Sequence, residues 1–202
     1  MDSFYSQILQ KAHIPKDTSI LVVCGGELDR EVLLSNGFTS VTISNLDERV
    51  RGDEFAPFSW SFQDAEQLSF GDATFDYVLV HAGLHHCASP HRALLEMYRV
   101  ARRGILAFEA RDSLLMKVAK AMNTVPSYEA AAVRSNEYRW GGVRNSCVPN
   151  YIYAGPKRKC GRRLQAMRRT RPIESSSSMG CCFRREGFRS NQAGSFAGFR
   201  RR

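Results

Sequence analysis

Short apolar segments alternate with helix-like segments through the first half of the chain. Runs rich in β-branched residues, bounded by glycine, asparagine or aspartate, predict strands. They cover residues 19–24, 40–44, 58–64, 75–81 and 104–109. Apolar residues at helical spacing predict a short helix between Asp29 and Asn36, and further helices over residues 91–101 and 113–122. Strands that alternate with helices at such short intervals predict a doubly wound α/β fold with a mostly parallel sheet.

The residues that directly follow the predicted strands carry the candidate chemistry, because ligands of such sheets bind at the carboxyl ends of the strands. Gly25 and Gly26 follow the first strand, where they allow a sharp turn and a close approach of a ligand. An ordinary glycine turn is the alternative. A G-x-G-x-x-G fingerprint is missing, which argues against a nicotinamide-dependent enzyme.

Polar side chains also follow the second and third strands. Asn45 and Asp47 follow the second strand and could hold ribose hydroxyls, although a solvated loop would contain the same residue types. Asp64 follows the third strand and could accept a hydrogen bond from an adenine amino group, or could simply cap a helix. These residue types are consistent with a nucleoside-binding site at this edge of the sheet.

A more specific signal lies in residues 64–100, which read DAEQLSFGDATFDYVLVHAGLHHCASPHRALLEMYRV. The acid pair, the Phe-Asp strand entry, the Leu-His-His triplet and the Arg-Val helix end stand in the register of one family. The segment resembles the central part of the class I S-adenosylmethionine-dependent methyltransferases that act on small molecules. The resemblance extends over about residues 19–110 and implies a Rossmann-like methyltransferase fold with S-adenosylmethionine as cofactor.

The resemblance assigns cofactor contacts to a set of residues at the strand ends: Cys24, Gly25, Gly26, Asn45, Asp64, Ala65 and His81. Asp47, two residues after Asn45, could add a carboxylate to the ribose site. It implies that the first loop lines the methionine end and that the second loop holds the ribose. The third loop would then receive the adenine ring, with Asp64 facing its amino group. His81, at the end of the fourth strand, would stand beside the sulfonium.

The glycine-rich loop departs from the family pattern, which is close to D-x-G-C-G-T-G. Val22 stands in place of the acid, Cys24 in place of the first glycine and Leu28 in place of the last. Asn45 stands where the family usually has an acid, so a charge-assisted hydrogen bond to the ribose is lost. These departures imply weakened cofactor binding, and weak or absent activity of this chain.

His85 and His86 are the candidate catalytic residues. A methyl acceptor that must lose a proton needs a base, and imidazole titrates near physiological pH. The two histidines could instead only shape a loop. Metal-ligand types also cluster here, but the resemblance accounts for the Leu-His-His triplet without an ion, so no metal site is expected. The aromatic and Asn-rich residues 136–153 could form a lid over the acceptor or an irregular packed connection.

The net charge of +9 is unevenly distributed along the 202 residues. Residues 156–202 contain 14 Lys and Arg against two Glu, whereas residues 1–155 contain 15 basic and 18 acidic residues. The sequence therefore predicts a methyltransferase-like domain over residues 1–153 and a basic, disordered tail over residues 154–202. Family members continue their sheet with two further strands. No strand-like run follows Tyr153, so the sheet is expected to lack them, and a shifted reading frame is one explanation of the tail.

Two functions remain open at this stage. One is methyl transfer from S-adenosylmethionine to a small-molecule or lipid-like acceptor. The other is a catalytically silent cofactor-fold protein whose basic tail binds nucleic acid or acidic surfaces. A cytoplasmic location is expected, because no apolar run of about 18 residues and no signal-peptide pattern occur.

Overall fold

The computed structural model describes residues 3–109, 122, 126–151 and 181–184. The helices are α1 (Ser3–Lys11), α2 (Glu27–Ser35), α3 (Pro90–Val100) and α4 (Ala130–Ser135). The strands are β1 (Ile20–Val22), β2 (Val41–Asn45), β3 (Ser59–Phe62), β4 (Phe75–His81), β5 (Ala101–Phe108) and β6 (Cys181–Arg184). The helix predicted over residues 113–122 and most of the predicted tail lie outside the described residues. None of the described helices is long and apolar enough to cross a lipid bilayer.

The six strands form one sheet in the order β3-β2-β1-β4-β5-β6, and β1 to β5 run parallel. At the centre Val22 pairs with Ile43 on one side and with Leu79 on the other. The chain order of the strands reverses between β1 and β4, which opens a crevice at their carboxyl ends. The predicted doubly wound fold is confirmed, and it brings the loops after β1, β2, β3 and β4 to one edge.

The far end of the sheet differs from the prediction. Residues 181–184 form β6, which pairs antiparallel with β5 so that Cys182 lies opposite Leu106. The expectation that no strand follows Tyr153 is therefore wrong for these four residues. The outer edge of β5 offers a row of backbone donors and acceptors, and a segment as short as Cys-Cys-Phe-Arg can pair with it. The sequence prediction required a longer aliphatic run and missed this segment.

Successive residues of the central strands alternate between two core layers. In β1, Leu21 packs in the layer that contains Met97 of α3, whereas Ile20 and Val22 pack in the layer that contains α1 and α2. Burial on both faces is typical of a parallel strand and explains the unbroken apolar run in this part of the sequence. The second layer includes Tyr5 of α1, a helix that sequence patterning did not predict.

A hydrogen-bonded chain fixes the beginning of α2 beneath the first loop. The carboxylate of Asp29 accepts from the backbone N–H of Gly26 at 2.9 Å and from the Tyr5 hydroxyl at 3.1 Å. Asp29 thus caps α2 from the third position of the helix, which begins at Glu27, before the predicted start. Burial raises the pKa of this carboxyl.

Candidate functional site

A cavity of about 310 Å³ lies at the carboxyl ends of β1, β2 and β3. Its walls include most of the residues assigned to the cofactor from the sequence: Cys24, Gly25, Asn45, Asp47, Asp64 and Ala65. Gly26 and His81 are not among the lining residues. Of the two candidate catalytic histidines, His86 lines the cavity and His85 does not. The fold therefore gathers residues from three separate predicted loops around one space.

The first loop passes so close to the neighbouring strands that Gly25 has no room for a side chain. A Cβ at this position would lie 2.8 Å from Ile43 Cγ2 and 2.9 Å from Val22 Cγ1. The Gly25 N–H donates to the Ser44 carbonyl at 2.8 Å, which ties the loop to β2. Close packing against the sheet is therefore the reason for glycine at this position.

Cys24 takes a backbone conformation that suits glycine. Its φ of 53° lies in the left-handed region, at the position where the family pattern has its first glycine. The Cys24 side chain packs against Gly83, where a Cβ would lie 2.5 Å from Cys24 Cβ. A hydrogen bond with the Cys87 thiol, together with burial, raises the pKa of Cys24. Cys24 thus keeps the backbone conformation that suits glycine, and the thiols of Cys24 and Cys87 fill the space beside the loop.

Asn45 braces the first loop with its carboxamide. Its Nδ2 donates to the Gly25 carbonyl at 2.9 Å, and its Oδ1 accepts from the Asp47 N–H at 2.9 Å. A carboxylate could not donate to the Gly25 carbonyl, so the asparagine is required by the local hydrogen bonding. The residue that the resemblance places on the ribose therefore also holds the glycine loop in position.

Arg49 holds the carboxylate of Asp47. The guanidinium donates at 2.6 Å to Oδ2 and at 2.9 Å to Oδ1. These hydrogen bonds lower the pKa of Asp47, so the group is ionised at neutral pH. Arg49 also donates to Asn136 Oδ1 at 3.2 Å and lies 5.2 Å from the ring centre of Trp140. The second loop is thereby linked to a distant part of the chain.

Asp64 is bound by a second arginine. Its Oδ2 accepts from Arg144 Nη2 at 2.7 Å, and its Oδ1 accepts from the Glu66 N–H at 2.9 Å. Glu66 itself is buried and accepts from the Ala88 N–H at 2.8 Å. Glu66 thus joins the third loop to the loop after β4. Arg144 is hydrogen-bonded to the Asp64 carboxylate, which the resemblance assigns to the adenine amino group.

Residues 136–145 form a wall of the cavity, and we call them the 136–145 segment. Asn136, Gly141, Arg144 and Asn145 of this segment line the same space as the cofactor residues of the first three loops. The predicted lid residues are therefore next to the residues assigned to the cofactor, and the link runs through Arg49 and Arg144.

His81 ends β4 but packs towards α1. Its ring stacks on Tyr5 with a centroid distance of 4.8 Å and an interplanar angle of 15°. Phe108 lies on the same side, with its ring centre 6.2 Å from that of His81. The side chain thus helps to seat α1 on the sheet, and its proposed place beside the sulfonium stays a prediction.

His85 and His86 belong to a polar cluster with two glutamates. His85 Nε2 lies 3.2 Å from Glu129 Oε2, and His85 Nδ1 lies 3.5 Å from Glu109 Oε2. His86 Nε2 lies 3.7 Å from Glu129 Oε2, and the two imidazole rings are 4.4 Å apart. Glu109 also accepts from the Leu84 N–H at 2.6 Å, which fixes the turn that carries both histidines.

The two histidines have opposite pKa shifts. Burial disfavours the charged form of His85, but hydrogen bonds and charge interactions with Glu109 and Glu129 outweigh it and raise its pKa. Burial and the neighbouring His85 lower the pKa of His86. At neutral pH His86 is therefore the neutral ring, and it is also the ring that lines the cavity.

Sequence reasoning missed the partners that complete this site. Arg144, Glu129 and Asn150 come from residues 129–150, where no regular sequence pattern is visible. Only the unusual content of Asn, Arg and aromatic residues in that region pointed to a functional segment. Glu109 was visible as the last residue of a predicted strand, but its contact with the histidine turn depends on the β4–β5 pairing.

Comparison with known proteins supports the fold and the class of protein. Residues 22–108 match the model of a methyltransferase domain family. Demethylmenaquinone methyltransferase of Anoxybacillus flavithermus is 29% identical in an alignment of 107 residues, which covers 48% of this chain and 45% of that enzyme. The chain thus spans less than half the length of this relative.

Solved structures share the fold at low sequence identity. A protein from Bacillus halodurans assigned as a methyltransferase gives a TM-score of 0.55 at 19% identity, covering 81% of this chain and 68% of its own. Magnesium protoporphyrin IX methyltransferase from Synechocystis, with bound S-adenosylhomocysteine, gives 0.55 at 16% identity, covering 91% and 80%. Residues 22–108 are thus similar to a methyltransferase domain, and the described fold is the Rossmann-like fold of class I methyltransferases. The resemblance read from residues 64–100 is confirmed.

Proposed function

We propose that the chain transfers a methyl group from S-adenosylmethionine to a small-molecule or lipid-like acceptor. The observation that carries this proposal is the cavity itself. The loops after β1, β2 and β3, which are neighbouring strands of the sheet, contribute Gly25, Asn45 and Asp64 to it. The relative with bound S-adenosylhomocysteine supports the choice of cofactor.

The donor and acceptor groups of the cavity suit an adenosyl ligand. Asp47 and Asn45 would hold the ribose hydroxyls, since carboxylate and carboxamide oxygens accept hydrogen bonds from a diol. Asp64 would accept from the adenine amino group and Ala65 would pack against the ring. Gly25 brings the backbone to the methionine end. Arg144 donates a hydrogen bond to Asp64 Oδ2, so we infer that the cofactor displaces this arginine when it binds.

The cofactor, when bound, supplies an electrophilic methyl group on a cationic sulfonium. Held by Gly25, Asn45, Asp47 and Asp64, the cofactor would present this methyl group to an acceptor atom in line with the carbon–sulfur bond, with the sulfide as leaving group. The chain's task is to align the reactants and to exclude water. For a hydroxyl or amine acceptor, the neutral ring of His86 would take the proton, and Glu129 beside it would stabilise the charged ring.

Calorimetric titration with S-adenosylmethionine and with S-adenosylhomocysteine tests the proposal. We expect one-to-one binding of both. Gln7→Glu, on the exposed face of α1, is the control for altered surface charge. If the folded chain bound neither ligand at millimolar concentration, the proposal that it is a methyltransferase would be refuted. Salt-sensitive binding of unrelated nucleic acids would then favour the silent protein with a basic tail.

The acceptor and the cellular location belong to the same proposal. Incubation with labelled S-adenosylmethionine and a panel of hydroxyl, amine and carbon acceptors would identify the acceptor class by product mass. A His86→Ala variant should lose turnover on hydroxyl and amine acceptors while it keeps cofactor binding. Cell fractionation would test the predicted cytoplasmic location.

A further inference from the structure

Two histidines and one glutamate bring three potential ligand atoms to one point beside the cavity. His85 and His86 come from the turn after β4, and Glu129 directly precedes α4. One ligand atom from each lies within 4.8 Å of the other two. Ligands at about 2.0 to 2.2 Å from one ion lie roughly 3 to 3.5 Å from one another. The distances from Glu129 Oε2 to the His85 and His86 Nε2 atoms, 3.2 Å and 3.7 Å, are close to this spacing.

We propose that His85, His86 and Glu129 bind a divalent transition-metal ion. Two imidazole nitrogens and one carboxylate oxygen form a ligand set that suits Zn²⁺, Co²⁺ and Fe²⁺ rather than Mg²⁺ or Ca²⁺. Three protein ligands leave coordination positions open to water or to a ligand atom. The site does not depend on the proposed methyl transfer, and the metal alone can be used to test it.

Glu109 provides the outer support that such sites use. Its Oε2 lies 3.5 Å from His85 Nδ1, and its Oε1 is fixed by the Leu84 N–H at 2.6 Å. A carboxylate in this position keeps the proton on Nδ1 and leaves the Nε2 lone pair for the ion. His85 is therefore already oriented as a ligand.

Asn150 plays the matching part for His86. The residue is completely buried, its Nδ2 lies 2.8 Å from His86 Nδ1, and its Oδ1 has no hydrogen-bond partner among the described residues. With the ring proton of His86 on Nε2, Nδ1 can accept from this amide. An ion at Nε2 would require the proton on Nδ1, and a half-turn of the Asn150 carboxamide would let Oδ1 accept it, at the expense of the hydrogen bonds from Nδ2 to Glu129 and Gly141. A carboxylate at position 150 would accept without this rotation.

The site adjoins the cavity through His86, which lines it. An ion there would take the lone pair that a proton-accepting His86 needs. An oxygen of a bound small molecule could then occupy an open position and lose its proton because the ion polarises it. This last consequence rests on the proposed function, whereas the metal site itself does not.

Titration of the full chain with Co²⁺, followed by its visible d–d absorption and by competition with Zn²⁺, tests the proposal. We expect saturable one-to-one binding without thiolate-to-cobalt charge-transfer bands, because the ligands are nitrogen and oxygen. His85→Ala and Glu129→Gln should each weaken binding by at least tenfold. Glu109→Gln should weaken it by about 10- to 100-fold. Asn150→Asp should strengthen it.

Two controls keep the result specific. His13→Ala and Glu31→Gln remove exposed groups of the same kinds outside the cluster and should leave the affinity unchanged. Circular dichroism establishes that each variant is folded. Equal affinity in the wild type and in folded His85→Ala, thiolate bands, or no saturable binding would overturn the metal site. Cofactor titration in the presence of a chelator is a separate measurement, so the proposed function could survive that outcome.

Discussion

Arg144 donates a 2.7 Å hydrogen bond to the carboxylate of Asp64 across 80 residues of chain. Half of the Arg144 side chain is exposed to solvent, against about a fifth of Asp64. An ion pair this exposed contributes only about 0 to 1 kcal/mol, because water and salt screen it. The pair is therefore strong enough to position the 136–145 segment and weak enough for a ligand to displace.

Removal of Arg144 should strengthen cofactor binding. In Arg144→Ala the Asp64 carboxylate no longer has to give up a partner, so the affinity for S-adenosylmethionine should rise by up to about fivefold. Arg139→Ala, an exposed arginine of the same segment, should have no such effect. Calorimetry on the three proteins provides the comparison. A weaker affinity in Arg144→Ala would mean that the arginine contacts the cofactor itself.

Removal of Asp64 should have the opposite effect. Asp64→Ala is expected to weaken cofactor binding by about 1 to 3 kcal/mol, the usual value of a hydrogen bond to a charged group. The measurement is best made in the Arg144→Ala background, where the loss of the ion pair does not contribute. Unchanged affinity in a folded double variant would remove Asp64 from the cofactor site.

Restoring the family's acid at position 45 should destabilise this chain. Asn45→Asp replaces the donor to the Gly25 carbonyl by an acceptor, which should lower the free energy of unfolding by about 1 to 3 kcal/mol. We also expect no gain in cofactor affinity, since the glycine loop loses its brace. Urea unfolding and calorimetry measure the two effects, with Gln7→Glu as an exposed amide-to-acid control. A more stable variant would show that the Asn45 brace is unimportant.

The two histidines should titrate on opposite sides of the usual value of about 6.5. His85 has a raised pKa, so its contribution to stability is fully present below the unfolded pKa and is lost as pH rises through the folded pKa. His86 has a lowered pKa, so its contribution is present above the unfolded pKa and is lost as pH falls through the folded one. Nuclear magnetic resonance titration of the ring protons measures both values.

Glu109→Gln separates the electrostatic effect on His85 from the structure of the turn. The glutamine oxygen can still accept from the Leu84 N–H, while the negative charge beside His85 is gone. The pKa of His85 should then fall, and that of His86 should change less. Glu31→Gln should move neither value. An unchanged His85 pKa in Glu109→Gln would assign the upward shift to Glu129 alone.

Tyr5 should contribute to stability through two separable interactions. Tyr5→Phe removes the hydrogen bond to Asp29 and keeps the ring against His81, which should cost about 1 to 3 kcal/mol. Tyr5→Ala also removes a fully buried ring and should cost about 3 to 5 kcal/mol. Tyr138→Phe, at an exposed tyrosine, should change stability by less than about 0.5 kcal/mol. Similar costs for the two Tyr5 variants would contradict this division.

The sheet could be predicted from the sequence because its strands are buried on both faces. Strand β4 begins and ends at the predicted residues, Phe75 and His81, because an apolar run of that length has few other interpretations. Helix α1 was missed, because Tyr5 and Leu9 are its only fully buried large side chains and the residues between them are polar or partly exposed. Its apolar signal is short and lies in a region without strand neighbours.

Only the residues of the candidate site that directly follow strands could be predicted from the sequence. Asp64 and Asn45 follow strands, and the fold places the ends of parallel strands together, so their shared location could be inferred. Their partners could not. Arg144 reaches Asp64 from a turn in which Arg144 itself has a φ of 51°, and no periodicity marks such a turn. The additional role of Asn45 in holding the first loop likewise depends on a single carbonyl, that of Gly25.

Strand β6 gives residues 181–184 a consequence for how the protein is produced. These four residues cover the outer edge of β5, although they lie more than 70 positions further along the chain. A shortened protein that ends at residue 153 would leave the β5 backbone groups open to a strand from another molecule. A shortened protein made for expression should therefore keep Cys181–Arg184, because without these residues the exposed edge of β5 would favour self-association.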